Sequence, residues 1–178
     1  MNKIIIVSCL FLLVSCGSTA TTLNTTSFNG DGFTIDIPST WITVEKPALP
    51  VPAQGSIALA VTSTDIASGY ANNMSILKGK LTEAISSKDY SLTNYVHTTA
   101  AYLDFIKLDE KKITFTGDND TSNLYTFEAK YNTNTPKQKF LQTAKVCGNN
   151  VYLITFGLGL TTTPTTKYED LIKTFTCK

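Results

Sequence analysis

One histidine, no arginine and a scatter of carboxylates set narrow limits on the chemistry open to this 178-residue chain. His97 is the single candidate general base near neutral pH, and it stands beside Thr93, Ala101 and Asp104 on a segment of helical periodicity. A triad also needs a positioned nucleophile, and no Gly-x-Ser-x-Gly or comparable signal is present, so a partly solvated helix histidine is the better account. Gly157-Leu158-Gly159 has the start of a dinucleotide turn, but Thr162 occupies the third glycine position and no helix follows directly. Gly79-Lys80 lacks the upstream Gly and the following Ser or Thr of a phosphate loop. Asp118-Asn119-Asp120 has the oxygens for a cation, yet a calcium loop would need Gly and Glu where Asn123 and Ala129 stand, so a hairpin turn is expected. Glu45, Glu83 and Glu128 are dispersed, and their spacing alone does not make a hydrolytic pair. Without Arg, bidentate recognition of phosphate or carboxylate is missing. No catalytic residue, cofactor or metal is expected.

The start of the chain reads as an address. Met1-Asn2-Lys3 gives a positive beginning, and Ile4 to Val14 is apolar apart from Ser8 and Cys9. A bilayer span needs about 20 apolar residues, so this run has the length of a signal-peptide core instead. Leu13-Val14-Ser15-Cys16-Gly17-Ser18 follows, and it closely resembles the lipobox of bacterial lipoproteins, with Leu three positions before a Cys that is lipidated and becomes the new N-terminus. The expected division is therefore a signal peptide over 1–15, lipid on Cys16 with a flexible Ser/Thr/Asn-rich tether over 16–27, and a folded domain over 28–178. Two or three acyl chains, at about 0.8 kcal/mol per buried CH₂, make a stable anchor where one would be marginal. Gly17-Ser18 lacks the Asp associated with inner-membrane retention, which favours the outer membrane facing the periplasm in a Gram-negative host. With Cys9 removed and Cys16 lipidated, Cys147 and Cys177 are the remaining thiols, and export to an oxidising compartment makes them a disulfide that staples the C-terminal tail to the sheet. Two thiols and one His are too few ligands for a zinc ribbon or an iron–sulfur cluster.

Fifteen Lys balance fourteen acidic residues, so no strong field gathers nucleic acid, and none is expected as a partner. Twenty-nine Thr, nine Phe and eight Tyr favour strands over a helical bundle. Phe33, Ile35 and Ile37 alternate with polar residues until Pro38, and strands are expected also over 57–62, 74–80, 112–116, 124–131, 138–146 and 151–160. Turns rich in Gly, Asn and Asp separate the last four, which makes them antiparallel neighbours. Lys46 to Gly55 carries three Pro and is an exposed loop. A helix over 91–107 is predicted from Ser91 as cap and from the stripe Leu92, Tyr95, Val96, Tyr102, Leu103 and Ile106. A terminal helix is predicted from the Thr166/Glu169 capping box and the stripe Tyr168, Leu171, Ile172 and Phe175. Together these make an α+β domain, an antiparallel sheet of six to seven strands flanked by helices.

Gly32-Phe33-Thr34-Ile35-Asp36-Ile37-Pro38-Ser39-Thr40-Trp41 resembles the opening motif of PsbP-like domains, where a first strand ends in Pro and a Trp follows three residues on. Asn73-Met74-Ser75-Ile76, a central helix, a meander, Tyr152-Leu153-Ile154-Thr155-Phe156 and a closing helix ending in Phe175 agree in order over about 28 to 176. The resemblance implies an α/β/α sandwich in a family of exported bacterial lipoproteins, chloroplast photosystem II subunits and a nuclear Ran-binding member. That family offers no shared catalytic residue, and the metal-associated His of its photosynthetic branch cannot be mapped onto this chain, whose one His is His97. Trp41, after the strand-ending Pro, is expected as a core plug rather than a stacking platform.

Two function classes survive, both without catalysis. One is an accessory lipoprotein that binds an envelope protein through an exposed face; the other binds a small ligand in a cleft between the 91–107 helix, the sheet and the 46–55 loop. Lipidation is directly testable: the membrane-extracted protein should begin at Cys16 with added acyl mass, and Cys16→Ser should leave the membrane fraction. Equal membrane retention of that variant would refute the anchor.

Overall fold

A computed structural model describes residues 23–45, 48–49, 51–52, 55–67 and 69–178. The expected signal peptide, Cys16 and the tether up to residue 22 lie outside the described residues. Ten strands and two helices follow: β1 (Thr25–Gly30), β2 (Phe33–Pro38), β3 (Trp41–Thr43), β4 (Ser56–Ala67), β5 (Tyr70–Lys80), α1 (Ser87–Ala101), β6 (Leu103–Thr114), β7 (Thr121–Lys130), β8 (Gln138–Cys147), β9 (Asn150–Leu158), α2 (Thr166–Lys173) and β10 (Thr176–Cys177). They form a seven-stranded sheet in the order β3-β4-β5-β9-β8-β7-β6 and a three-stranded sheet in the order β1-β2-β10. Every paired neighbour is antiparallel. The expected antiparallel sheet of six to seven strands is present, but the strand expected at 33–38 is β2 of the small sheet, and the short β3 takes the edge of the large one.

Strand alternation explains the layers. Leu59, Val61, Met74, Ile76, Tyr152, Ile154 and Phe156 leave one side of the large sheet and join Phe33, Ile35, Tyr168, Ile172 and Phe175 in the main core. Phe33 stacks on Phe175 at 5.1 Å and meets Tyr152 at 5.2 Å, so one aromatic cluster joins both sheets and the last turn after α2. Trp41 lies against Phe156 and Tyr168 and plugs the core margin as expected. The other side of the sheet carries a smaller cluster, Tyr125, Phe127, Ala129 and Phe140, under Tyr95, Tyr102 and Phe105.

Four expectations need correction. The tether was expected to run to Ser27, but β1 begins at Thr25 and pairs with β2 through a hairpin in which Gly32 holds φ +84. Its sequence, TTSFNG, is polar and its first residues are exposed, so it folds by pairing and leaves no apolar alternation to read. The helix expected over 91–107 instead starts at Ser87, capped by Ser86 whose Oγ accepts from the Asp89 N–H at 3.0 Å, and stops at Ala101. Leu103 and Ile106 therefore belong to β6, which occupies the sheet edge and also contains most of the strand expected over 112–116; Asp104, with φ 52, lies just inside β6, where the register with β7 shifts between Leu103 and Ile106. In α2 the cap is Thr165, one residue early, and its hydroxyl donates to Glu169 Oε1 at 3.0 Å.

The packing of α1 inverts the usual helix. Its buried residues are Ser87, Ser91 and Thr98, while Leu92 and Val96 are 48% and 57% exposed. Buried hydroxyls need partners. They find them on the sheet: Ser87 Oγ accepts from the Val146 N–H at 2.8 Å, Ser91 Oγ accepts from the Asn123 N–H at 3.3 Å, and Thr98 Oγ1 donates to Gln142 Oε1 at 3.0 Å. The apolar stripe drawn through Leu92 and Val96 thus faces solvent.

Cys147 at the end of β8 is bonded to Cys177 in β10, with Cα atoms 5.6 Å apart and 30 residues between them in sequence. The bond ties the small sheet to the large one. Loop-closure entropy assigns it about 3 to 4 kcal/mol. Cys147→Ala/Cys177→Ala should lower the denaturant midpoint by that equivalent with an unchanged β-rich circular dichroism spectrum, and an unshifted midpoint would show that the crosslink adds nothing.

Candidate binding cleft

Because α1 packs mainly over β7 and β8, the same side of β4, β5 and β9 is left without a helix. A cleft of about 220 Å³ forms there. Its floor is Ala60, Ser75, Leu77, Leu153 and Thr155; its far wall is Tyr102 and Tyr131, where the chain leaves α1 and β7; and Leu49, Val51 and Pro52 of the Pro-rich loop form the near wall. The sheet and the loop are walls expected from the sequence; in place of the expected helix stand Tyr102, just past the end of α1, and Tyr131. Among the described residues none of the lining side chains is charged. The rim is open, with Val51 93% and Tyr131 54% exposed.

A hydrogen-bond chain fixes the polar end of the cleft. Gln142, 4% exposed, accepts at Oε1 from Asn94 Nδ2 at 2.9 Å and from Thr98 Oγ1, and its Nε2 donates to Thr155 Oγ1 at 3.0 Å. The helix thereby sets the orientation of the amide that borders the cleft. Tyr102 packs among Phe127, Phe140 and Tyr131 with ring centroids 5.3 to 6.0 Å away. Burial, reinforced by the neighbouring Tyr131 and Tyr70 phenols, pushes Tyr102 up to about 12, so it remains a neutral hydroxyl at physiological pH. A second hollow of about 320 Å³ beside β3 and β4 is lined by Phe28, Thr43, Glu45 and neighbours, but lacks a comparable set of convergent side-chain donors.

The other residues singled out in the sequence remain apart from this cleft. His97 is exposed on α1 and does not line it. Glu128 lies 3.9 Å from Lys137 in an ion pair, and Gly157 and Gly79 sit inside strands. Among the described residues no group of three His, Cys, Asp or Glu side chains has metal-holding geometry.

The fold is PsbP-like. The solution structure of cyanobacterial PsbP (CyanoP) from Synechocystis sp. PCC 6803 superposes with a TM-score of 0.59 at 12% identity, covering 93% of this chain and 99% of that one. A Pseudomonas aeruginosa protein of unknown function gives a TM-score of 0.57 at 11% identity, covering 86% of this chain and 97% of its own. No protein-family model and no curated protein matches the sequence. The PsbP-like likeness therefore concerns backbone architecture, and function has to be argued from the site.

The acidic turn singled out in the sequence is structural, and what the sequence did not show is the buried lysine it closes on. Asp118-Asn119-Asp120 does form a tight turn, with Asn119 at φ 59, but its carboxylates close on Lys145. Lys145 is 1% exposed; its Nζ lies 2.6 Å from Asp118 Oδ2, 2.8 Å from Asp120 Oδ2 and 5.0 Å from the Phe115 ring centre. Burial is the largest influence on Asp120 and pushes its carboxyl up, but hydrogen bonds from Lys145, Ser87 and the Thr121 N–H outweigh it and hold the group below its ordinary 3.8. A depressed carboxyl stabilises the fold above its unfolded value and loses that contribution as pH falls through the folded value. Asp118→Ala/Asp120→Ala leaves the buried ammonium uncompensated and should cost about 3 to 5 kcal/mol, whereas Lys145→Met in the same background should recover most of it. Acid titration of the parent should show stability dropping below about pH 4, and a drop equally steep in the triple variant would deny the clamp its share.

Proposed function

We propose that this chain is an exported, lipid-anchored accessory module of the bacterial envelope, whose work is binding rather than catalysis. The observation that supports it is the open cleft, uncharged among the described residues, between Leu49, Val51 and Pro52, the β4-β5-β9 surface and Tyr102. An apolar hollow with a protruding valine at its rim suits a nonpolar group brought by a protein partner, since desolvation of such a group is favourable and no buried charge opposes it. Preorganised acid–base chemistry would need titratable groups converging on the same space, and the cleft presents neutral hydroxyls and one amide. The lipid on Cys16 would hold the module at a membrane surface, the outer membrane in a Gram-negative host, and concentrate it near envelope proteins.

The second reading, a small-ligand-binding lipoprotein, is favoured by a different detail of the same place: Gln142 and Thr155 present hydrogen-bonding groups at the bottom of the hollow. Photo-crosslinking in cells separates the two. With the crosslinker at Val51, one envelope protein should be captured reproducibly, capture should fall several-fold with Leu77→Asp, and a crosslinker at exposed Glu83 should not capture it. Capture that ignores position, or turnover of a substrate by the purified domain that disappears with His97→Ala, would overturn the accessory role.

A further inference from the structure

We propose that the cleft is a site for an uncharged, mainly apolar molecule that presents one acceptor oxygen, a carbonyl or ether, to Gln142 Nε2 and Thr155 Oγ1. This rests on the small-ligand reading and goes on to name the ligand's chemistry. The first reason is charge: among the described residues the lining contains no Lys, Asp, Glu or His side chain, so they offer an ionic ligand nothing to replace its lost hydration. The second is the hydrogen-bond count. Gln142 Oε1 is taken by Asn94 and Thr98, and one Nε2 hydrogen goes to Thr155 Oγ1, which leaves the second Nε2 hydrogen and the Thr155 hydroxyl hydrogen as donors. Both residues border the cleft, and Gln142 is more than nine-tenths buried, so its free N–H is a donor fixed in place by the helix. Tyr102 adds a phenol on the far wall. Donors therefore predominate at one end, and Leu49, Ile57, Leu77 and Leu153 supply the apolar remainder. The ligand that complements this arrangement brings an acceptor at one end and hydrocarbon or aromatic surface elsewhere.

Three naphthalenes of nearly equal shape isolate each element: 2-acetonaphthone is neutral with a carbonyl, 2-ethylnaphthalene is neutral without one, and 2-naphthoate is charged. The neutral ketone Prodan serves as the fluorescent reporter, with a blue-shifted emission on entering an apolar site. The full domain should bind Prodan saturably at one site, and 2-acetonaphthone should displace it most effectively. 2-Ethylnaphthalene should be several-fold weaker for want of a hydrogen bond, and 2-naphthoate weaker by about tenfold or more. Leu77→Trp, which fills the floor, should abolish the saturable signal, and Thr155→Val should erase the advantage of the ketone over the hydrocarbon; circular dichroism checks that each variant folds, and Thr155→Val decides if Leu77→Trp does not. Absence of saturable Prodan binding, equal displacement by ketone and carboxylate, or an unchanged ketone preference in Thr155→Val would overturn the assignment. If those probes fail while Val51 crosslinking still captures one envelope protein, the ligand class falls and the partner reading stands.

Discussion

The hydrogen bonds that hold α1 to the sheet decide the layout of everything on that side of the molecule. Hydroxyls of Ser87, Ser91 and Thr98 meet backbone and side-chain groups of β7 and β8, and such bonds fix position far more sharply than apolar contact does. An apolar face could slide across the sheet toward β9 and β5; a helix held at three polar points cannot. The helix stays over two strands, the neighbouring three strands stay bare, and the cleft occupies the difference. The same constraint orients Gln142, so the wall of the hollow and its polar end have a common cause.

The opposite side of the large sheet follows different physics. There the side chains are apolar and interlocked around Phe33, Tyr152 and Phe175, and the small sheet and α2 are carried on that cluster. Lys145 sits between the two regimes. Its strand neighbours are buried, its ammonium reaches the turn that carries Asp118 and Asp120, and Asp120 in turn accepts from Ser87 at the start of α1. One buried cation thus links a hairpin turn, a central strand and the helix N-terminus, although it contributes nothing to the cleft.

What could be read in advance was whatever repeats at short range. β2, β7, β8 and β9 show alternation and turn residues, and α2 shows its stripe, so their places were legible to within a few residues. β1, β6 and β10 are made by their neighbours: β1 is polar, β6 is an exposed edge with breaks in its register, and β10 has only two residues. α1 misled because Leu92 and Val96 face solvent while Tyr95 packs on the sheet, and periodicity reports a face without saying which way it points. The loop and sheet walls of the cleft were legible, but the wall of Tyr102 and Tyr131 beyond the end of α1 was not, nor was Gln142, because the Asn94 and Thr98 that orient it lie 48 and 44 residues away in sequence. The Lys145 clamp was hidden for the same reason.

The crosslink between β8 and β10 has a mechanical side. β1, the first described strand, pairs only with β2, and β2 is flanked on its other edge by β10, whose Cys177 is joined to Cys147 in the large sheet. The Lys178 N–H donates to the Gly32 carbonyl at 3.1 Å, so the tail also clasps the hairpin that opens the fold. Tension arriving through the N-terminal chain would meet the Thr25 and Pro38 pair first and then pass through β2 to β10. From there it is carried by a covalent bond into the centre of the molecule, which makes the end of the chain a strain relief for its beginning.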